Sequence, residues 1–88
     1  HFVYALPQLP LNTVINSTIS HELHLTGANT ATVYHLDDST KKGQGMKEYE
    51  SILLVRTNRG IQMYVVTDTD ISRLKVFGSS YIQNLRRI

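Results

Sequence analysis

Two apolar runs separated by a short polar segment form the clearest pattern along the chain. Residues 51–57 and 61–67 are rich in β-branched and other apolar side chains, and Asn58, Arg59 and Gly60 lie between them. Asn and Arg suit a type I turn, and Gly suits the left-handed position of the adjoining bulge. The first run is apolar on both parities, which is typical of a strand covered on both faces. The pattern therefore predicts a β-hairpin at the centre of the core.

A second pattern, with a period of two, occupies residues 13–26. Its apolar positions share one parity: Ile15, Ile19, Leu23 and Leu25. Alternation over this length predicts an amphipathic strand, or two strands joined by a bend. Gly-Ala-Asn at 27–29 predicts a turn, because Gly27 tolerates positive φ, and residues 31–36 then form the returning strand.

The period changes after residue 67, where apolar residues recur every three positions and predict a helix. These positions are Ile71, Leu74 and Phe77. Asp68 or Asp70 can cap the start of this helix, and Gly78 can end it. Residues 79–88 predict a second short helix, because their apolar side chains fall on one face at helical spacing. The members of that face are Tyr81, Ile82, Leu85 and Ile88.

Two segments carry no periodic pattern. Pro7 and Pro10 lack amide donors, so residues 1–12 are predicted to be an extended arm or an edge strand. Residues 37–50 combine charged side chains with two glycines and are predicted to be a solvated loop.

Together these patterns predict one small α+β domain over residues 1–88. We expect an antiparallel sheet of four or five strands, with one or two short C-terminal helices covering one face. The alternative is an all-β barrel of the oligonucleotide-binding (OB) type. The predicted core consists of Ile15, Ile19, Leu23, Val33, Ile52, Leu54, Ile61, Met63, Val65, Ile71, Leu74, Phe77 and Leu85.

Composition narrows the class of protein. With 88 residues, the chain buries only about 60–65 % of the surface that it exposes when unfolded, which leaves little room for a deep cleft. It has no cysteine, so neither disulfides nor a thiolate zinc site can stabilise it. The longest apolar run, residues 52–55, is far short of the roughly 20 residues that span a membrane. The first residue is His1 rather than Met, which suggests a processed protein or an excised domain.

Charge is distributed unevenly along the chain. The net charge is only +2, but all nine Lys and Arg residues lie after residue 40, whereas the first forty residues carry three acids. Such polarity can orient a molecule on an acidic partner, although it is too mild to require nucleic acid.

No motif indicates a reaction or a cofactor. His21 and His24 point to opposite faces of a strand and lack the four-residue helical spacing of zinc proteases. A calcium loop beginning at Asp68 would need glycine where Arg73 stands. Gly43 and Gly45 lack the third glycine of a dinucleotide site. We therefore predict no catalytic, cofactor or metal site.

Two functions remain, and both depend on surfaces. The first is a non-catalytic protein-interaction or assembly module, in which an exposed strand edge or the N-terminal arm pairs with a partner or with a second copy. The alternative is a single-stranded nucleic-acid-binding domain that uses the basic 41–47 loop and the 56–59 hairpin tip, with Tyr34, Tyr49 and Tyr64 stacking on bases. The candidate contacts to nucleic acid or an acidic partner are Lys41, Lys42, Lys47, Tyr49, Arg56, Arg59, Arg86 and Arg87.

Overall fold

The fold is an open five-stranded antiparallel sheet with helices on both of its faces. The computed structural model describes residues 9–25 and 30–88. In chain order the elements are α1 (Leu11–Ile15), β1 (Thr18–His24), β2 (Thr30–His35), α2 (Asp38–Gly43), β3 (Ser51–Thr57), β4 (Gly60–Val66), α3 (Asp68–Phe77), a 3₁₀ helix (Gly78–Asn84) and β5 (Arg86–Arg87). No helix within these ranges is long and apolar enough to cross a membrane.

The strands lie side by side in the order β1-β2-β3-β4-β5, and every neighbouring pair is antiparallel. This arrangement confirms the predicted α+β class and the predicted strand number. The alternative barrel is not formed, because β1 and β5 lie at opposite edges of the sheet in the described part of the chain.

The central hairpin is confirmed. β3 and β4 pair along their whole length, from Ser51 opposite Val66 to Thr57 opposite Gly60. Gly60 has a φ of +118°, a conformation that favours glycine, so the turn depends on this residue. The Thr57 hydroxyl accepts a hydrogen bond from the Arg59 amide and donates one to the Gly60 carbonyl, both at 3.1 Å. The side chain of the last β3 residue therefore holds the turn closed.

Buried apolar side chains cover both faces of the sheet. The α3 face consists of Leu23, Leu25, Ala31, Val33, Leu53, Val55, Tyr64, Val66, Ile71 and Leu74, with Tyr81, Ile82 and Leu85 packed at its margin. The α1 face consists of Leu9, Val14, Tyr34, Leu36, Met46, Ile52, Leu54 and Val65, with Leu11, Met63 and Ile88 at its margin. Because successive residues of β3 alternate between the two faces, both parities of that strand are apolar. The prediction that helices cover only one face is therefore too narrow.

Four predicted core residues are exposed. Ile15, Ile19, Ile61 and Phe77 keep 40 %, 51 %, 39 % and 60 % of their surface in solvent. Met63 and Leu85 are half-buried, and the remaining predicted core residues are buried. These four residues lie at the sheet edges, in α1 and at the end of α3. There the apolar periodicity of the sequence continues, but no other part of the described chain covers the side chains.

A β-bulge explains the error at Ile19. β1 pairs Ile19 with Tyr34 and His21 with Val33, so Ser20 is an extra residue that has no partner on β2. Because one extra residue shifts the alternation, Ile19 lies on the α1 face while Leu23 lies on the α3 face. The prediction of a strand from residue 13 is also wrong at its start, since α1 occupies Leu11–Ile15.

Residues 37–50 are not the loop without secondary structure that the sequence predicts. α2 occupies Asp38–Gly43, and the Asp37 side chain caps it by accepting a hydrogen bond of 2.6 Å from the Thr40 amide. Hydrogen bonds from Thr40, first from its backbone and then from its side chain, lower the pKa of Asp37. Asp37 is therefore the N-cap of this short helix, which the charged composition of the segment did not indicate.

α3 is confirmed, but its cap is Thr67 rather than Asp68 or Asp70. The Thr67 hydroxyl accepts from the Asp70 amide at 3.2 Å, and Asp70 Oδ2 accepts from the Thr67 amide at 3.0 Å, which is a capping box. Asp70 Oδ1 accepts from the Tyr81 hydroxyl at 2.8 Å. One carboxylate therefore joins the start of α3 to the 3₁₀ helix. Gly78, with a φ of +68°, ends α3 as predicted.

The C-terminal segment differs from the predicted second helix. The 3₁₀ helix ends at Asn84, and the chain then extends along β4 as β5. The Ile88 amide donates to the Met63 carbonyl at 3.0 Å, so pairing continues to the last residue. Tyr81, Ile82 and Leu85 nevertheless pack against the core as the apolar pattern predicts.

Two predicted features lie outside the described residues: the first eight residues of the N-terminal arm and the turn at 27–29. Residues 9–12 do not form an extended arm, because Leu9 is buried on the α1 face and Leu11 begins α1.

Replacing Leu74 by Ala tests the packing of α3. Leu74 is fully buried, so Leu74→Ala should lower the free energy of unfolding by about 2–5 kcal/mol through lost contacts and a cavity. Val76 on the same helix is 76 % exposed, and Val76→Ala should change this free energy by less than about 0.5 kcal/mol. Urea unfolding followed by circular dichroism measures both changes. Equal losses in the two variants would contradict the buried face assigned to α3.

Candidate functional site

The outer edge of β1 is the first candidate surface. β1 pairs with β2 on one side, and no other strand within residues 9–25 and 30–88 pairs with its second side. Five of its seven residues are exposed, including Ile19 and Glu22. The strand contains no Lys, Arg or Pro, the residues that commonly protect an edge from pairing, although the bulge at Ser20 gives partial protection. Backbone donors and acceptors along this edge can therefore meet another strand.

The opposite edge is formed by β4 and β5. β5 is only two residues long and pairs with Tyr64 and Val65, so in the described chain Gly60–Gln62 has no neighbouring strand on its outer side. Arg86 and Arg87 are exposed there, and Arg59 is exposed at the adjoining hairpin tip. This second edge is therefore basic, whereas β1 carries one acid and no fixed cation.

Lys41, predicted to contact an acidic partner, is buried and keeps only 1 % of its surface exposed. Its ammonium Nζ donates a hydrogen bond to the Glu48 carbonyl and lies 3.5 Å from Nδ1 of His35. Lys41 thereby ties α2 both to the segment before β3 and to the end of β2. In this conformation it is not available to a phosphate.

The composition of α2 accounts for this burial. Its residues, DSTKKG, include no large apolar side chain that could pack against the sheet. The four-carbon stem of Lys41 supplies apolar surface in their place, while its ammonium keeps polar partners. The sequence predicts that Lys41 and Lys42 are both exposed, and this holds for Lys42.

Three of the predicted contact residues come together beside the start of β3. The Lys47 ammonium lies 5.6 Å from the ring centroid of Tyr49, whose side chain is 54 % exposed. A side-chain hydrogen bond with Tyr49, followed by electrostatic attraction to the same side chain, raises the pKa of Lys47. Glu50 Oε2 accepts from the Lys47 amide at 3.0 Å and lies 3.7 Å from the Arg86 guanidinium. We call Lys47, Tyr49 and Arg86 the basic cluster.

The other predicted contacts lie elsewhere. Arg56 and Arg59 are exposed at the hairpin tip, and the basic cluster lies near the opposite end of β3. A seven-residue strand spans about 20 Å, so the tip and the cluster do not form one patch. Tyr34 and Tyr64 are buried in the core, which removes two of the three rings predicted to stack on bases.

The hydroxyls of Ser17 and Ser20 both form hydrogen bonds within the protein. Ser20 Oγ lies 3.1 Å from Nδ1 of the neighbouring His21, but it donates to the Val33 carbonyl at 3.2 Å. Ser17 Oγ donates to the Thr13 carbonyl at 2.7 Å. Each hydroxyl thus has a backbone carbonyl as acceptor, which is typical of serines that stabilise local structure.

The described residues also contain no cluster of side chains that could hold a metal ion. No cluster of three or more His, Cys, Asp or Glu side chains with suitable geometry occurs within residues 9–25 and 30–88. The functional proposals rest on the two edges and the basic cluster.

Alanine substitutions at two adjacent lysines test the burial of Lys41. Lys41→Ala should lower the free energy of unfolding by about 2–4 kcal/mol, because it opens a cavity and leaves the Glu48 carbonyl without its donor. Lys42→Ala, the matched control, should change it by less than about 0.5 kcal/mol. Thermal and urea unfolding measure both values. Similar small effects would show that Lys41 is solvated.

Comparison with known proteins found no match: the chain matches no protein-family profile, no curated protein and no solved structure.

Proposed function

We propose that this protein is a non-catalytic protein-interaction module that binds an extended segment of a partner along the outer edge of β1. The observation that carries the proposal is the seven-residue β1 edge, which has no paired strand on its outer side in the described chain. In strand addition, main-chain hydrogen bonds supply affinity, and the side chains of alternate residues supply specificity.

The coverage of the sheet supports this choice of surface. Buried clusters occupy the α3 face and the α1 face, so a partner cannot reach the central strands from above or below without displacing helices. Backbone groups remain accessible at the edges. At β1, exposed Ile19 adds an apolar contact beside those groups.

The arrangement of hydroxyls and imidazoles supports a non-catalytic role. Ser17 and Ser20 donate to backbone carbonyls, and Lys41 donates to the Glu48 carbonyl within the protein. These side chains act as structural hydrogen-bond donors. A binding role requires nothing further of them.

Selection of peptides tests the proposal. A display library of random linear peptides is selected on the wild-type protein, and binders are measured again on Ile19→Lys and on Val76→Lys. Charge at the β1 edge opposes pairing, so Ile19→Lys should weaken binding by at least about tenfold. Val76 is more exposed than Ile19 and lies on α3, so Val76→Lys should leave affinity unchanged within about twofold.

Backbone amide shifts in nuclear magnetic resonance spectra then locate the bound peptide. We expect the largest shifts at Thr18–His24, the residues of β1. Peptides that bind both variants equally, or that shift only α3, would refute β1 as the binding edge.

A second candidate function rests on the basic cluster, which brings two cations and an exposed ring together. We propose single-stranded nucleic-acid binding there as the alternative, with Tyr49 stacking on a base while Lys47 and Arg86 contact phosphates. This nucleic-acid surface differs from the one predicted from the sequence. It omits Lys41, which is buried, and the hairpin tip, which lies at the other end of β3 from the basic cluster.

The salt dependence of oligonucleotide binding tests this alternative. Neutralisation of phosphates on a single strand makes log K fall with log salt by about 0.7 per contact. Lys47→Ala and Arg86→Ala should each reduce that slope by about one contact, whereas Arg56→Ala at the opposite end of β3 should leave it unchanged. Fluorescence anisotropy with labelled oligonucleotides measures the slopes. No binding at low salt would eliminate the nucleic-acid function.

A further inference from the structure

We propose that the partner at the β1 edge is a second copy of this chain, which offers its own β4–β5 edge. This inference rests on the proposed interaction role of β1 and specifies the occupant. Copies joined in this way add the sheet of one molecule to the sheet of the next, head to tail.

Charge complementarity between the two edges favours this pairing. β1 carries Glu22 and neither Lys nor Arg, and the exposed residues of β5 are Arg87 and Arg86, whose guanidinium lies 3.7 Å from Glu50. Acidic and basic residues on adjacent strands attract, whereas like charges directly opposite one another are destabilising. Pairing two β5 edges would bring four arginines together, and centring two β1 edges on Glu22 would oppose two carboxylates. Only the unlike combination places opposite charges side by side.

Both edges also offer backbone and apolar surface. The outer side of β1 and that of Gly60–Gln62 have no neighbouring strand in the described part of the molecule. Each edge exposes one isoleucine, Ile19 on β1 and Ile61 on β4. Joining the edges would remove apolar surface of both side chains from solvent, which adds to the main-chain hydrogen bonds of the contact.

The geometry of the contact determines what assembles. Because the two surfaces differ, the contact is heterologous, and repeated addition extends a row of copies unless the rotation closes it into a ring. A strand edge buries far less than the roughly 1,600 Å² of a standard stable interface, so association should be weak and should grow with concentration. Ionic attraction between the edges should also make it weaken with added salt.

Charge reversal on each edge, separately and together, tests the inference. Sedimentation of the wild-type protein between about 0.05 and 1 mM should show a weight-average mass that rises with concentration. Glu22→Lys and Arg87→Glu should each weaken association by at least about fivefold, because each places like charges at the contact. The double variant, Glu22→Lys with Arg87→Glu, restores opposite charges between copies and should recover association to within about threefold of wild type. Both residues are exposed, and circular dichroism confirms the fold of each variant.

Each other outcome overturns the inference. If the wild-type protein stays monomeric throughout the concentration range, self-pairing is excluded. Peptide selection on β1 can still succeed in that case, so the proposed function is tested independently of this inference. Association that survives Arg87→Glu unchanged excludes the β4–β5 edge from the contact. If a variant lacking residues 1–8 associates while the full chain does not, that segment occupies the β1 edge.

Discussion

The burial of the β3–β4 hairpin on both faces is the constraint that shapes the rest of the molecule. Ile52 and Leu54 face one side of the sheet, Leu53 and Val55 face the other, and all four are buried. A chain of 88 residues must therefore supply two covering layers for one small sheet. α3 and the 3₁₀ helix supply one. The other is assembled from short pieces, chiefly Leu9, Val14 of α1 and Met46, because little chain remains for a second long helix.

The parts of the fold that are predictable from sequence are those where pattern and burial agree over several residues. The hairpin and α3 meet this condition, since apolar side chains, turn chemistry and a terminal glycine all indicate the same elements. The bulge at Ser20 does not, because one extra residue reverses the alternation without altering the composition of the strand. α2 is not predictable for a different reason. It packs through the stem of Lys41, a residue type that ordinarily indicates a solvated surface.

The candidate surfaces depend on long-range placement, which limits their prediction from sequence. Arg86 meets Glu50 and the Lys47–Tyr49 pair only because β5 lies against β4 and β4 lies against β3. Proximity in the chain places Lys41 with Lys42 and Lys47, yet the Lys41 side chain of α2 is buried. Which strands form edges follows from the order of all five strands, and local patterns do not determine that order. The sequence nevertheless indicates the difference in charge between the two edges, since all Lys and Arg residues lie after residue 40.

The Asp70 carboxylate determines how the C-terminal quarter of the chain opens. One oxygen satisfies the Thr67 amide at the start of α3, and the other accepts the Tyr81 hydroxyl. The Tyr81 ring in turn stacks against Phe77 at the end of the same helix, with centroids 6.4 Å apart. Fraying at either end of α3 therefore weakens the attachment of the 3₁₀ helix. These two helices should behave as one cooperative opening unit, whose amide hydrogens become accessible to solvent exchange together.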